Sequence, residues 1–156
     1  MSGATLLRRI TEIGVAVRDL EQATALLVDL FGGEAGDVQQ VERYGMRFRM
    51  VRLGKVDFEL MEPVGDSGVI ADFLDARGEG LHHVAFAVGD VDETVRALGA
   101  RGFQFVAERP EELALDVIDF AGRPFSEELC FAFSHPKSLL GVLFEFIEYP
   151  PGYATP

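Results

Sequence analysis

Four polar residues interrupt stretches that are otherwise apolar. Glu12 stands in Ile10-Thr11-Glu12-Ile13-Gly14-Val15-Ala16-Val17, and Glu59 in Val56-Asp57-Phe58-Glu59-Leu60-Met61. His83 stands in Leu81-His82-His83-Val84-Ala85-Phe86-Ala87-Val88, and Glu145 in Val142-Leu143-Phe144-Glu145-Phe146-Ile147. A carboxylate set among apolar side chains costs several kcal/mol unless it is paired or bound to a cation. One such residue can be an edge position facing water. Four of them suggest side chains that meet. One imidazole and three carboxylates around a divalent ion make an oxygen-rich, six-coordinate kind of site, with positions left for water or substrate. Such a site suits Co, Mn, Fe, Ni or Mg, and also Zn. The open alternatives are a satisfied core histidine at His83 and glutamates solvated on a one-sided sheet.

The elements that carry these residues come in two copies. Ile13, Val15 and Val17 alternate with Glu12, Gly14 and Ala16, the period of a strand. Asp19 follows as a helix cap, then an apolar-periodic run Leu20 to Phe31 that stops at Gly32-Gly33. Glu12-Ile13-Gly14-Val15-Ala16-Val17-Arg18-Asp19-Leu20 aligns without a gap on His83-Val84-Ala85-Phe86-Ala87-Val88-Gly89-Asp90-Val91. The second copy also enters a helix, Val91 to Ala100, and stops at Gly102. This is a duplicated supersecondary unit within one fold.

Short strands follow each helix. In the first half they are Val38 to Glu42, Met46 to Leu53 and, after a Gly54-Lys55 turn, Val56 to Glu62. Val69 to Ala76 reads as a linking helix. In the second half the strands are Phe103 to Ala107, Leu129 to Ser134 and Val142 to Tyr149. Asp57-Phe58-Glu59-Leu60 parallels Leu143-Phe144-Glu145-Phe146, so the first and last strands of each half supply one polar residue each. The second half is the longer, and its excess falls in Glu108 to Glu128, read as an insertion. Glu111 to Ala121 within it could form a helix, broken at Gly122-Arg123-Pro124. A loop of that length in a compact domain is usually functional, which makes it a substrate-facing rim or a decoration at a dimer contact. The expected organisation is one domain over 1–156, with module one at about 8–65, module two at about 80–150 and the insertion at about 108–128.

Composition narrows the function. The chain has 156 residues, 48% of them hydrophobic, enough for a globular core. The formal charge of -12 argues against nucleic acid and against an anionic membrane surface. Met1 to Arg9 lacks an apolar core of signal-peptide length, and no segment has the uninterrupted apolar length of a membrane span, so a cytoplasmic location is expected. Cys130, the single cysteine, lies in an apolar stretch and reads as a small buried hydrophobe. Arg43, Arg47, Arg49 and Arg52 cluster, with Arg47 and Arg49 on one strand face; they suit a solvated face or a substrate anion such as coenzyme A phosphate. No phosphate-cradling glycine loop and no Gly-x-Ser-x-Gly elbow occurs.

These residues resemble the vicinal oxygen chelate superfamily, which includes glyoxalase I, methylmalonyl-CoA epimerases and extradiol dioxygenases. The epimerases are the nearest likeness, through Ile13-Gly14-Val15-Ala16-Val17, Glu59-Leu60-Met61-Glu62-Pro63, Gly78-Glu79-Gly80-Leu81-His82-His83, His135-Pro136-Lys137-Ser138 and Gly141-Val142-Leu143-Phe144-Glu145. The resemblance implies an α+β fold of paired βαβββ modules forming a curved mixed sheet around a metal site. It implies metal ligands at Glu12, Glu59, His83 and Glu145, a homodimer and a small-molecule substrate. The implied activity is epimerisation or isomerisation beside a carbonyl through a metal-stabilised enolate, with an acyl-CoA thioester as first substrate and Glu145 as the first catalytic carboxylate. The repeat puts Glu12 on the opposite half of the site, as the second catalytic carboxylate or as a ligand alone. The alternatives are a glyoxalase-type lyase on a thiol adduct and a non-catalytic small-ligand-binding protein. Some residues depart from the family. Glu12 stands where epimerases carry His, Phe48 where an epimerase can place a catalytic Glu, and Leu26-Leu27 where Phe-Tyr is frequent. The insertion replaces a short glycine-containing loop.

Overall fold

The computed structural model describes residues 6–114, 117–118, 124–125 and 128–153. They form two compact units. One is Glu12–His82; the other joins the residues up to Thr11 with those from His83 onward. β1 (Leu7–Ala16) therefore contributes to both.

In the first unit β1 leads through Asp19 into α1 (Leu20–Phe31). The Asp19 side chain accepts a hydrogen bond from the Gln22 N–H at 2.9 Å, so one of the orphan donors of the first turn is satisfied. Gly32 ends the helix at φ 67°, a left-handed conformation that costs glycine little. β2 (Glu34–Val41), β3 (Met46–Leu53) and β4 (Val56–Pro63) follow, and α2 (Val69–Arg77) closes the unit. The strand order is β2-β3-β4-β1, antiparallel from β2 to β4 and parallel between β4 and β1. One face of this sheet packs α1: Val17, Leu20, Val51 and Leu60 are buried together, with Val15, Ala23 and Leu27 against them. Each of the four fully buried side chains contributes about 1.5–3 kcal/mol. The Arg18 N–H donates to Glu79 Oε1 at 2.7 Å, which ties the end of β1 to the loop after α2.

The second unit repeats the plan. β5 (Gly80–Val88) leads through Asp90 into α3 (Val91–Gly99), and Asp90 accepts from the Glu93 N–H at 2.7 Å. β6 (Glu111–Ala114), the short hairpin β7 (Val117–Ile118) and β8 (Pro124–Phe125), β9 (Glu128–Phe133) and β10 (Phe144–Glu148) complete it. β5 and β10 are parallel; β10, β9 and β6 are antiparallel. Val88, Val91, Ala132 and Phe146 form the core beneath α3, joined by Phe86, Val95, Leu98, Phe105 and Cys130. Cys130 thus packs as a small hydrophobe.

Two sequence expectations are corrected. Phe103 to Ala107 is not a strand; it makes a single bridge, Phe105 to Ser134. Phe105 turns into the α3 core, its ring 6.1 Å from that of Phe146, so its burial comes from packing and not from a ladder. The edge position beside β9 is taken by β6, from the insertion. The helix expected over Glu111 to Ala121 is also absent from its described part, where Glu111–Ala114 and Val117–Ile118 are strands. Leu113, Leu115 and Val117 alternate with Glu112, Ala114 and Asp116, a period of two. The expected break at Gly122-Arg123 lies outside the described residues. No helix among the described residues is long and apolar enough to cross a membrane.

Asp19→Ala and Asp90→Ala should each lower stability by about 1 kcal/mol in urea unfolding. An effect at one cap and none at the other would show that the two helix starts are not energetically equivalent.

Candidate functional site

Register brings the polar residues together within each unit. On β1 and β4, Glu12 lies against Asp57, Gly14 against Glu59 and Ala16 against Met61. Side chains alternate along a strand, so Glu12, Gly14, Asp57 and Glu59 leave the same face, the one away from α1. Glu12 and Glu59 each bring a carboxylate oxygen within 4.8 Å of the other. Glu12 is buried and Glu59 half-buried.

The second unit contains the same arrangement. Ala85 on β5 lies against Glu145 on β10, as Gly14 lies against Glu59. His83 precedes Ala85 by two residues, as Glu12 precedes Gly14. His83 Nε2 stands 3.1 Å from Glu145 Oε2, with side chains only 3% and 10% exposed. On the far side Phe133 of β9 lies against Glu145. Its ring meets the imidazole edge-on, centroids 5.6 Å apart at 84°. Such a contact fixes the imidazole plane and adds an apolar wall.

The residue beside each glutamate is small, Gly14 or Ala85. A larger side chain there would stand between the glutamate and its diagonal partner. The sequence sets Glu12 with Gly14 and Ala16 by alternation, but alternation alone does not assign the small residues this role. The signal lies in small residues sharing a face with the polar one.

The polar side chains near these four, and the arginine cluster, have partners of their own. Asp57 receives a bidentate ion pair from Arg52, at 2.8 and 2.9 Å. Glu62 points to the α1 side and is paired with Arg47; its hydrogen bond, and then its charge, hold the Arg47 guanidinium above its usual value. Arg49 reaches Glu21 of α1 at 3.0 Å. The guanidinium of Arg43 lies 4.6 Å over the Tyr44 ring. The arginine cluster is thus matched largely to carboxylates of the same unit. Glu148 accepts from the Val91 N–H at 2.9 Å and caps α3. His82 rests edge-on against Phe73, 5.1 Å between centroids. On β3, Met50 lies against Glu59 and Phe48 against Met61. Phe48 is 4% exposed, a core side chain. On the face of Glu59, β3 therefore presents Met46, Phe48, Met50 and Arg52, with no carboxylate.

The donor chemistry fits a divalent ion. Carboxylate oxygens and an imidazole nitrogen are ordinary ligands of borderline and hard divalent metals. Adjacent ligands of an octahedral ion with bonds of about 2.1 Å stand about 3.0 Å apart, close to the His83–Glu145 separation.

Comparison with known proteins gives a consistent assignment. A model of the Glyoxalase/Bleomycin resistance protein/Dioxygenase superfamily matches residues 11–121. Mitochondrial methylmalonyl-CoA epimerase from Bos taurus is 31% identical over 140 residues, covering 89% of this chain and 73% of the relative. The crystal structure of methylmalonyl-CoA epimerase from Mycobacterium tuberculosis matches with a TM-score of 0.80 at 29% identity, covering 97% of this chain and 94% of that one. Streptomyces coelicolor methylmalonyl-CoA epimerase in complex with 2-nitronate-propionyl-CoA matches with a TM-score of 0.78 at 26% identity, covering 91% and 97%. The two βαβββ units are the architecture expected of a vicinal oxygen chelate fold, and the chain belongs to the Glyoxalase/Bleomycin resistance protein/Dioxygenase superfamily.

Proposed function

We propose that this protein is a divalent-metal-dependent epimerase acting on the carbon beside the thioester carbonyl of an acyl-CoA. One observation carries most of the weight. The diagonal pairing of His83 with Glu145 recurs as Glu12 with Glu59, on the face away from the helix in each unit. In this reading Glu12, Glu59, His83 and Glu145 hold one ion between them. When bound, the ion supplies a positive charge that polarises the carbonyl oxygen and makes the neighbouring C–H more acidic. The relatives named for methylmalonyl-CoA, and the complex with 2-nitronate-propionyl-CoA, support a thioester substrate.

The chain's own groups do the proton work. Glu145 is the first base: it is buried and backed by the aromatic wall of Phe133, which keeps water from the transferred proton. Inversion requires a second group on the opposite face of the planar carbon, to return the proton. On the face of Glu59, β3 carries no acid. Glu12 is the carboxylate left for the role, and its replacement of the family's histidine restores two-base chemistry.

Protein purified without chelator should carry about one divalent ion per chain by elemental analysis. His83→Ala and Glu145→Ala should each weaken metal affinity by at least on the order of 100-fold. A normally folded protein that takes up neither Co nor Mn would overturn the metal-dependent reading.

Glu12→Gln tests the second base, since it keeps shape and a ligand oxygen but removes the proton acceptor. With methylmalonyl-CoA in deuterated water, this variant should still exchange the proton of one enantiomer while inversion falls by roughly 100-fold or more. Full inversion by a metal-loaded Glu12→Gln protein would remove Glu12 from the catalytic role.

A further inference from the structure

The first unit carries a third carboxylate on the face of Glu12 and Glu59, one that the proposed reaction does not use. Asp57 precedes Glu59 by two residues on β4, so both side chains leave the same face. In the ladder between β1 and β4 it lies directly against Glu12. Asp57 is 6% exposed and Glu12 8%. Neighbouring strands run about 4.8 Å apart, which brings the two acidic side chains into contact range. On its other side Asp57 faces Arg52 of β3 across the Gly54-Lys55 turn, whose two residues fix that register. Arg52 Nε donates to Asp57 Oδ1 at 2.8 Å, and Nη2 donates to Oδ2 at 2.9 Å. One guanidinium therefore engages both carboxylate oxygens, and the Arg52 side chain is itself only 19% exposed.

The second unit supplies the comparison. Asp57-Phe58-Glu59-Leu60 parallels Leu143-Phe144-Glu145-Phe146, so Leu143 stands where Asp57 does. The Val84 N–H donates to the Leu143 carbonyl at 3.1 Å, which continues the β5–β10 ladder and sets Leu143 against His83 as Asp57 is set against Glu12. The place is apolar in the second unit; in the first it is neutral through the Arg52 pair. Stability alone does not account for that pair, since a buried ion pair is commonly no more stabilising than well-packed apolar residues. Asp57 without Arg52 would be a third negative charge on a face that already holds two, and a third oxygen donor beside a cation.

We propose that Arg52 is a positioning residue that limits the carboxylates offered to the divalent ion. By holding Asp57 it leaves Glu12 and Glu59 as the donors of the first unit. The inference rests on the metal reading above and adds what selects the metal. Ca²⁺ takes about six to eight oxygen ligands, whereas borderline ions such as Co²⁺ accept fewer and bind imidazole readily. With Asp57 withheld the site favours Co²⁺-like ions; with Asp57 released it gains most for Ca²⁺. Arg52 acts through Asp57 and is not itself a ligand.

The test titrates the metal-free protein with Co²⁺ and with Ca²⁺ by calorimetry and records the visible absorption of the Co²⁺ form. Arg52→Gln should raise the affinity for Ca²⁺ relative to Co²⁺ by on the order of 10-fold and shift the Co²⁺ absorption, because a carboxylate joins the ion. Loss of the positive charge alone would strengthen both ions by the same factor with the absorption unchanged, and that result would overturn the proposal. Arg52→Lys keeps a cation beside the buried carboxylate and so preserves the fold, but it gives Asp57 one hydrogen bond in place of two. The ratio should then move the same way by about threefold. Arg52→Leu combined with Asp57→Leu, in the likeness of Leu143, should restore the ratio and the absorption of the unaltered protein. A fall in Co²⁺ affinity of on the order of 100-fold in that double variant would make Asp57 a ligand already, and would also overturn the proposal. A ratio unchanged in both Arg52→Gln and Arg52→Lys, with both ions bound, would overturn it and leave the metal reading standing. No binding of either ion to the unaltered protein would overturn both.

Discussion

A carboxylate placed on an apolar strand must find compensation within reach of its own side chain, and that constraint organises each unit. Glu59 and Glu145 stand on strands whose other residues are mostly hydrophobic. For Glu145 the compensating group is His83 on the adjacent parallel strand, one diagonal step away past Ala85; Glu59 has Glu12 at the same step past Gly14, a like charge that makes the pair suited to a cation. The geometry depends on three things at once. The two strands must be parallel and in one register. The residue facing the glutamate must be small. The opposite face must be closed by a helix, so that the polar face is the one left available. α1 and α3 meet the last condition with matched Asp caps and matched apolar stripes.

Much of this could be read from the sequence because the duplication is written in it. Period-two alternation placed Glu12 with Gly14 and Ala16, and His83 with Ala85 and Ala87. The capped helices Leu20–Phe31 and Val91–Gly99, and the strands Met46–Leu53 and Val56–Pro63, follow from pattern and turn chemistry. Period-two alternation also sets Glu62 on the opposite face from Glu59. It could not say that Glu62 would be matched to Arg47, nor Asp57 to Arg52, because cross-strand partners depend on register. The register of β3 on β4 is what turned an apparent basic cluster into a set of local ion pairs.

The second half was less legible after α3, for a reason that the residues make plain. Phe103-Gln104-Phe105-Val106-Ala107 alternates well enough to pass for a strand. Burial of Phe105 under α3 can be achieved either in a ladder or in an irregular segment, and alternation is the same in both. The deciding feature is the competing strand at Glu111–Ala114, which pairs with β9 over four residues. Its charged pair Glu111-Glu112 disguised it as a helix start, since acidic residues are common in a first helical turn. The period of two in Leu113, Leu115 and Val117 was the stronger signal.

The exchange of edge strands has a consequence for chemistry. In the first unit the edge strand β2 follows α1 after only Gly32 and Gly33, and no free segment remains between them. In the second unit the edge is supplied later in the chain, so Phe103 to Ala107 is released from ladder pairing and held by a bridge and a few backbone hydrogen bonds. Released backbone does not have to place every second side chain in a core. Val106 can therefore remain exposed while Phe105 is half-buried under α3, a division that a central strand facing solvent on neither side would not tolerate. The two units thus share the arrangement that holds polar groups together and differ in the segment that follows the helix. A duplicated fold can keep its chemistry in the repeated part and vary its selectivity in the part that is not repeated.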